Sequence, residues 1–154
     1  MASRRNEIEM TDAELRAFLA EQMTMQVATV GPRGRPHMVP LWYVPDGTEL
    51  VGWTYAKSQK ARNLERDPHA TVGIDDGVRY EELRGVMLEC DVELERQVER
   101  VAEIGAALLA RYYGDEATPE RREGFRRQAP KRIGLRFVPS RIVSWDHRKL
   151  GGGY

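Results

Sequence analysis

The sequence predicts an α+β fold whose core is an antiparallel β-barrel of six strands, closed or partly closed, with flanking helices. Three observations lead there. β-rich runs recur along the chain with hairpin chemistry between them, residues 84–94 alternate cleanly between apolar and polar, and the regular strand–helix alternation of a parallel sheet is missing. At 154 residues the chain has the size of one domain, and no linker, repeat or low-complexity segment divides it.

Thr11, Asp12, Ala13 and Glu14 read as a capping box, and Leu15, Phe18 and Leu19 follow at helical spacing, so a short first helix is expected there. Residues 25–30 and 36–44 are strand-like, and Gly31, Pro32, Arg33 and Gly34 between them suit a hairpin turn. Pro45, Asp46 and Gly47 signal a second turn before a third strand at 50–55, rich in aromatic and β-branched residues. A helix is expected over 58–65, ended by Asp67 and Pro68, and Ala70, Val72 and Ile74 then alternate in a strand that Gly77 closes. In the fifth strand Leu88, Cys90, Val92 and Leu94 share one face, and Glu89, Asp91 and Glu93 the other. Val98, Val101, Ala102, Leu108, Leu109 and Tyr112 form a helical stripe, a more polar helix follows over 119–128, and Ile133, Leu135 and Phe137 mark the last strand. Residues 1–10 and 148–154, with Gly151, Gly152 and Gly153, are expected to be flexible or partner-contacting ends.

Composition excludes several classes of function. The 24 basic residues balance the 24 acidic ones, so no net field draws the protein to nucleic acid or an anionic membrane. The longest apolar stretch, 104–110, is far short of the ~20 residues a membrane helix needs. Arg4 and Arg5 are followed by Glu7, Glu9 and Asp12 where an export signal needs an apolar core, and the single Cys90 precludes an internal disulfide, so a reducing cytoplasm is expected. His37, His69 and His147 lie in separate elements without metal-ligand spacing, and Cys90 sits on the core face of its strand as a structural thiol.

The most informative segment runs from Ala56 to Leu64. Ser58 is a good N-cap, which places Lys57, Lys60 and Arg62 around the first turn of the helix, and no acid appears before Glu65. Cations at a positive helix terminus cost about 0.3–1 kcal/mol each, whereas a bound phosphate turns both dipole and lysines into attractive partners. Two readings stay open on these residues alone: an anion site, or long side chains that swing into water. Nearby, Pro40 removes a ladder donor from its strand, and Trp42, Tyr43, Trp53 and Tyr55 offer flat apolar surface, either for a ligand or as ordinary core.

The ordered set of segments resembles the pyridoxamine phosphate oxidase-like split barrels, and within them the flavin/deazaflavin oxidoreductases. The segments are Val27-Ala28-Thr29-Val30, Gly34-Arg35-Pro36-His37, Pro40-Leu41-Trp42-Tyr43, the run from Lys57 through Pro68, Leu83-Arg84-Gly85-Val86, and Ser144-Trp145-Asp146-His147-Arg148-Lys149-Leu150. The last of these tilts the resemblance to the deazaflavin branch. It implies a six-stranded split barrel, a homodimer with the coenzyme in a groove between barrels, and coenzyme F420 as hydride donor to an activated double bond, quinone or similar acceptor. Alternatives are FMN on the same fold, or a carrier that binds without turnover. Lys57, Ser58, Lys60 and Asn63 are then expected at the phosphate, and Val39, Pro40, Leu41, Trp42, Thr54, Tyr55 and Ala56 at the ring system. Gly77, Val78, Arg79 and Tyr80 are expected at the tail or substrate side, and Trp145 over the ring from the neighbouring chain. No proton donor is assigned; Tyr43, Tyr80 and His147 are candidates. Positioning of the coenzyme can carry the reaction without a dedicated protein acid.

Overall fold

The computed structural model describes residues 3–151; Gly152 and Gly153 lie outside the described residues. Its strands are β1 (Met25–Val30), β2 (Pro36–Leu41), β3 (Val44–Asp46), β4 (Glu49–Tyr55), β5 (His69–Asp76), β6 (Arg84–Glu95) and β7 (Arg132–Asp146). The helices are α1 (Arg4–Ile8), α2 (Asp12–Glu21), α3 (Gln59–Arg66), α4 (Val98–Tyr113) and α5 (Pro119–Gln128). All strands join one antiparallel sheet in the order β2-β1-β5-β6-β7-β4-β3.

The α+β class and the curled half-barrel agree with expectation, but the sheet has seven strands, not six. The run 36–44 is broken at Trp42 and Tyr43, because the Tyr43 main chain bonds to a side chain instead of a strand: its N–H donates to the Tyr112 hydroxyl oxygen at 3.0 Å. β2 and β3 therefore end up on opposite edges of the sheet. Curling brings those edges back together: a Cβ on Gly52 of β4 would lie 2.8 Å from the Trp42 carbonyl oxygen, so only glycine allows this close approach.

The last strand is also much longer than the expected 133–137. Pro139, which argues against a strand on sequence grounds, is accommodated at a register shift: Glu89 faces Arg141 and Cys90 faces Pro139, leaving Ser140 as the extra residue of a bulge. The Ser140 hydroxyl donates to Glu89 O at 3.0 Å and satisfies the interrupted ladder. In the β1–β2 turn, Gly34 takes a φ of +76°, a conformation that favours glycine.

Met25, Val27, Val72, Leu88, Leu135 and Phe137 fill the barrel, while Trp53, Val101, Leu108 and Ala129 form a second core between β4 and α4. The predicted capping box opens α2, with the Glu14 N–H donating to Thr11 Oγ1 at 3.2 Å and the Thr11 N–H to Glu14 Oε2 at 2.8 Å. Helix α1, at the end expected to be flexible or partner-contacting, precedes Met10, whose N–H donates to the Ser144 hydroxyl oxygen at 3.0 Å. Among the described residues no helix is long and apolar enough to cross a membrane.

Arg84 fastens α2 to the sheet, donating to Glu21 at 2.5 Å and to Asp76 at 2.8 Å. The Arg84 hydrogen bond holds both carboxyls below their ordinary values of 4.5 and 3.8, and Arg148 does the same for Asp146. A carboxyl lowered on folding stabilises the fold above its ordinary value, and that contribution is lost as acid protonates it. The melting temperature is therefore expected to fall between about pH 5 and about pH 3, and less steeply in Arg84→Met. Equal slopes for the two proteins in a thermal series would contradict this assignment.

Candidate functional site

The site begins where β4 turns into α3. The Ser58 N–H donates to Tyr55 O at 3.0 Å, closing the turn, and the Ser58 hydroxyl then accepts the Ala61 N–H at 3.1 Å as the N-cap. The first-turn N–H groups of Gln59 and Lys60 precede the first helical bond, which runs from Arg62 N to Ser58 O. No acidic residue stands in that turn.

The two lysines differ sharply. Lys57 is exposed, whereas Lys60 is only 6% exposed and its ammonium donates to Thr54 Oγ1 at 3.4 Å. Thr54 Oγ1 lies 3.3 Å from Ser58 Oγ, so two hydroxyls and the buried ammonium converge beneath the helix start. Among the described residues neither lysine pairs with a carboxylate. Burial, and then the nearby Arg132 charge, push the Lys60 ammonium towards losing its proton. A buried cation without a counter-charge is costly, and the helix terminus adds positive potential instead of relief. Of the two arginines on this helix, Arg62 is exposed, and Arg66, in the last turn, donates to Val30 O.

Asn63 does not join this cluster. It is fully buried, its amide donates to Thr29 Oγ1 at 3.0 Å, and its Oδ1 accepts from Gln59 at 2.8 Å, so its polar atoms lock α3 onto β1.

Val39, Pro40 and Leu41 lie on β2, an edge strand, where Pro40 leaves no outward donor idle. Trp42 follows and stacks on Tyr112, with ring centroids 4.2 Å apart and planes 8° from parallel. Across the Gly52 seam these residues adjoin β4, whose Thr54 is buried, Tyr55 exposed and Ala56 half-buried, with the Ala56 N–H donating to Lys131 O.

The remaining candidates sit elsewhere. Gly77, Val78, Arg79 and Tyr80 form the β5–β6 connection, and Trp145 packs across Gly85 of β6 in its own chain. Strand pairing puts Tyr55 against Arg132 at the start of β7 and Arg84 against Asp146 at its end. At ~3.3 Å per residue the two groups are separated by roughly 45 Å of curling strand. The cavity lined by Gly77, Val78 and Arg84 shares no residue with the one lined by Pro40, Leu41 and Trp42.

Of the acid candidates, Tyr80 and His147 lie together at that far end, with rings 4.4 Å apart and His147 Nδ1 2.9 Å from Tyr80 O. Tyr43 is held inside the protein. It is fully buried, its hydroxyl donates to Leu19 O and Gln22 O at 2.8 and 2.7 Å, and burial pushes its pKa well above the ordinary tyrosine value. The Cys90 thiol is likewise pushed up to about 12 by burial, in keeping with a structural role.

The structure also brings in Arg132, which the sequence reading passed over. Its guanidinium lies 4.0 Å from the Tyr55 ring centroid and 4.6 Å from that of Trp53. Nothing local marks this arginine; only the pairing of β4 with β7 places it there.

Comparison with known proteins bears on this arrangement. A family model described as pyridoxamine 5'-phosphate oxidase matches residues 11–146. Comparison with curated proteins gives no match. Among solved structures, a conserved hypothetical protein from Mycobacterium tuberculosis is 41% identical, with a TM-score of 0.89 over 97% of this chain and 93% of that one. An F420 reductase is similar in fold at 22% identity and a TM-score of 0.65, over 82% of this chain and 94% of that one. So is the heme storage protein HutZ from Vibrio cholerae, at 21% identity and a TM-score of 0.67, over 86% and 93%. The match over nearly the whole barrel and the curled antiparallel sheet lead to one conclusion: this chain belongs to the pyridoxamine 5'-phosphate oxidase family.

Proposed function

We propose that the protein binds coenzyme F420 and is an oxidoreductase that reduces an activated double bond, quinone or similar acceptor. The observation that carries this reading is the pair of lysines at the α3 N-terminus: among the described residues Lys60 is buried without a counter-ion, and Lys57 is exposed without one. A phosphate there would supply the missing negative charge, accept the first-turn N–H groups and meet Lys57 from solvent. Ser58 and Thr54 hydroxyls are within reach of the same anion, while Val39, Pro40, Leu41, Trp42 and Ala56 would border the ring system. When bound, a deazaflavin supplies hydride chemistry; the protein's part is to hold the phosphate, orient the ring and keep water from it.

The separation of the α3 site from Gly77, Val78, Arg79, Tyr80 and Trp145 supports a homodimer in which a second copy turns those residues towards the groove. Tyr80 and His147 would then remain the candidate acids. The fold likeness to an F420 reductase supports the coenzyme assignment, and the lone, buried Cys90 fits a reducing cytoplasm.

Lys57→Ala is expected to weaken F420 binding about tenfold or more, because a charge-assisted phosphate contact contributes roughly 1.5–3 kcal/mol. A fluorescence titration with oxidised and reduced F420 and with FMN checks it, and an unchanged dissociation constant would count against the site. FMN is the second reading, since it offers the same phosphate. Tighter FMN binding, a yellow protein as purified and oxygen consumption would favour it. Tight coenzyme binding without turnover across enones and quinones would mark a carrier.

A further inference from the structure

The outward face of β4 carries a second concentration of unusual chemistry. Leu50 of this strand turns to the barrel interior, with Thr54 on the same face by alternation, and Trp53 turns out to pack with Val101, Leu108 and Phe125 of α4 and α5, with Tyr55 exposed on that face. There, between the end of β2 and α5, opens a cleft of about 530 Å3, within the range of small-molecule sites. Trp53 stacks on Phe125, with centroids 5.6 Å apart and planes 18° from parallel, and the half-exposed Trp42 forms a wall.

Arg132 also lines the cleft. Its Nε and Nη2 donate to Gln128 Oε1 at 3.0 and 2.5 Å, which leaves the Nη1–Nη2 edge as its fork for an acceptor, and among the described residues no carboxylate pairs with it. Burial disfavours its charged form. The cleft therefore combines aromatic planes with a half-desolvated, planar guanidinium that lacks a charged acceptor. One positive fork matches one carboxylate in bidentate geometry. The neighbouring rings match a flat apolar body.

We propose that this cleft binds a planar conjugated molecule carrying one carboxylate, its rings among Trp42, Trp53 and Phe125 and its carboxylate on Arg132, and that it is the subsite for the second substrate. The second-substrate role rests on the coenzyme reading; the binding of an aromatic acid does not. The cleft shares Pro40, Leu41 and Trp42 with the strand assigned to the coenzyme ring. The Lys60 and Thr54 anion site lies across β4, so the two negative groups do not compete for space.

The test uses 2-naphthoate and its neutral counterpart 2-naphthamide, titrated into the purified protein by tryptophan fluorescence. The naphthoate is expected to bind about tenfold more tightly than the amide, Arg132→Gln to erase that preference, and Phe125→Ala to weaken both ligands. Arg132→Lys, which keeps the charge and loses the fork, should retain only part of the preference, and it decides the matter if Arg132→Gln does not fold. Equal binding of the two compounds, or a full preference in either arginine variant, overturns the proposal. Saturating F420 should leave the naphthoate affinity within about threefold, and mutual displacement overturns the second-substrate role. Arg132-dependent naphthoate binding in a protein that binds no coenzyme would sink the coenzyme reading while upholding the acid site.

Discussion

Lys60→Met is expected to lower coenzyme affinity about tenfold to a hundredfold and, in the same protein without coenzyme, to raise stability by on the order of 1 kcal/mol. The opposite signs follow from one fact. Lys60 is 6% exposed, and among the described residues its hydrogen bond is a long one to Thr54. The folded protein carries the cost of desolvating that ammonium, and methionine keeps the methylene packing while removing the charge. For a chain of this size the gain amounts to a rise of about 2–4 °C in melting temperature. The bound anion, by contrast, loses a partner in a low-dielectric site. Thermal melts with and without F420, together with a titration, read both effects. A variant that loses stability and keeps its affinity would show Lys60 to be a packing residue and would remove the main support for the anion site.

Tyr43→Ala is expected to cost about 3–5 kcal/mol, a large share of the 5–15 kcal/mol that stabilises a typical domain. Tyr43 is wholly buried at the point where the chain crosses from β2 to β3. Its ring lies under the Arg111 guanidinium at 5.1 Å, and its hydroxyl donates to the two carbonyls that end α2. Truncation leaves a cavity and unpairs that join together. Tyr43→Phe should cost only about 1 kcal/mol, because Arg111 also donates to Leu19 O and Gln22 O, at 3.3 and 2.7 Å, and keeps them satisfied. Denaturant melts measure both. The phenylalanine variant should also retain its turnover, and a folded Tyr43→Phe protein without activity would return Tyr43 to the list of acids.

Local chemistry made much of this molecule readable. The capping box at Thr11, the N-cap at Ser58, the hairpin turn at Gly34 and the alternation in β6 each depend on neighbours within a few residues, so each was legible. The departures came where a distant group overrode a local preference. The Tyr112 hydroxyl takes the Tyr43 N–H and splits one expected strand into two. A bulge at Ser140 lets β7 pass through Pro139. Thr29, 34 positions away, draws the Asn63 amide into the core.

The sequence by itself determined the α+β barrel and the crowding of cations at the start of α3, because hydrophobic period, turn chemistry and helix capping are short-range properties, while the family came from the resemblance of an ordered set of segments. Only the tertiary structure decided that Lys60 is buried and Lys57 exposed, that the Asn63 amide reaches Thr29, and that Arg132 stands over Trp53 and Tyr55. Burial and pairing of a charge depend on which strand lies alongside, and strand partners 77 residues apart, such as Tyr55 and Arg132, are joined by the sheet and not by their neighbours in the chain.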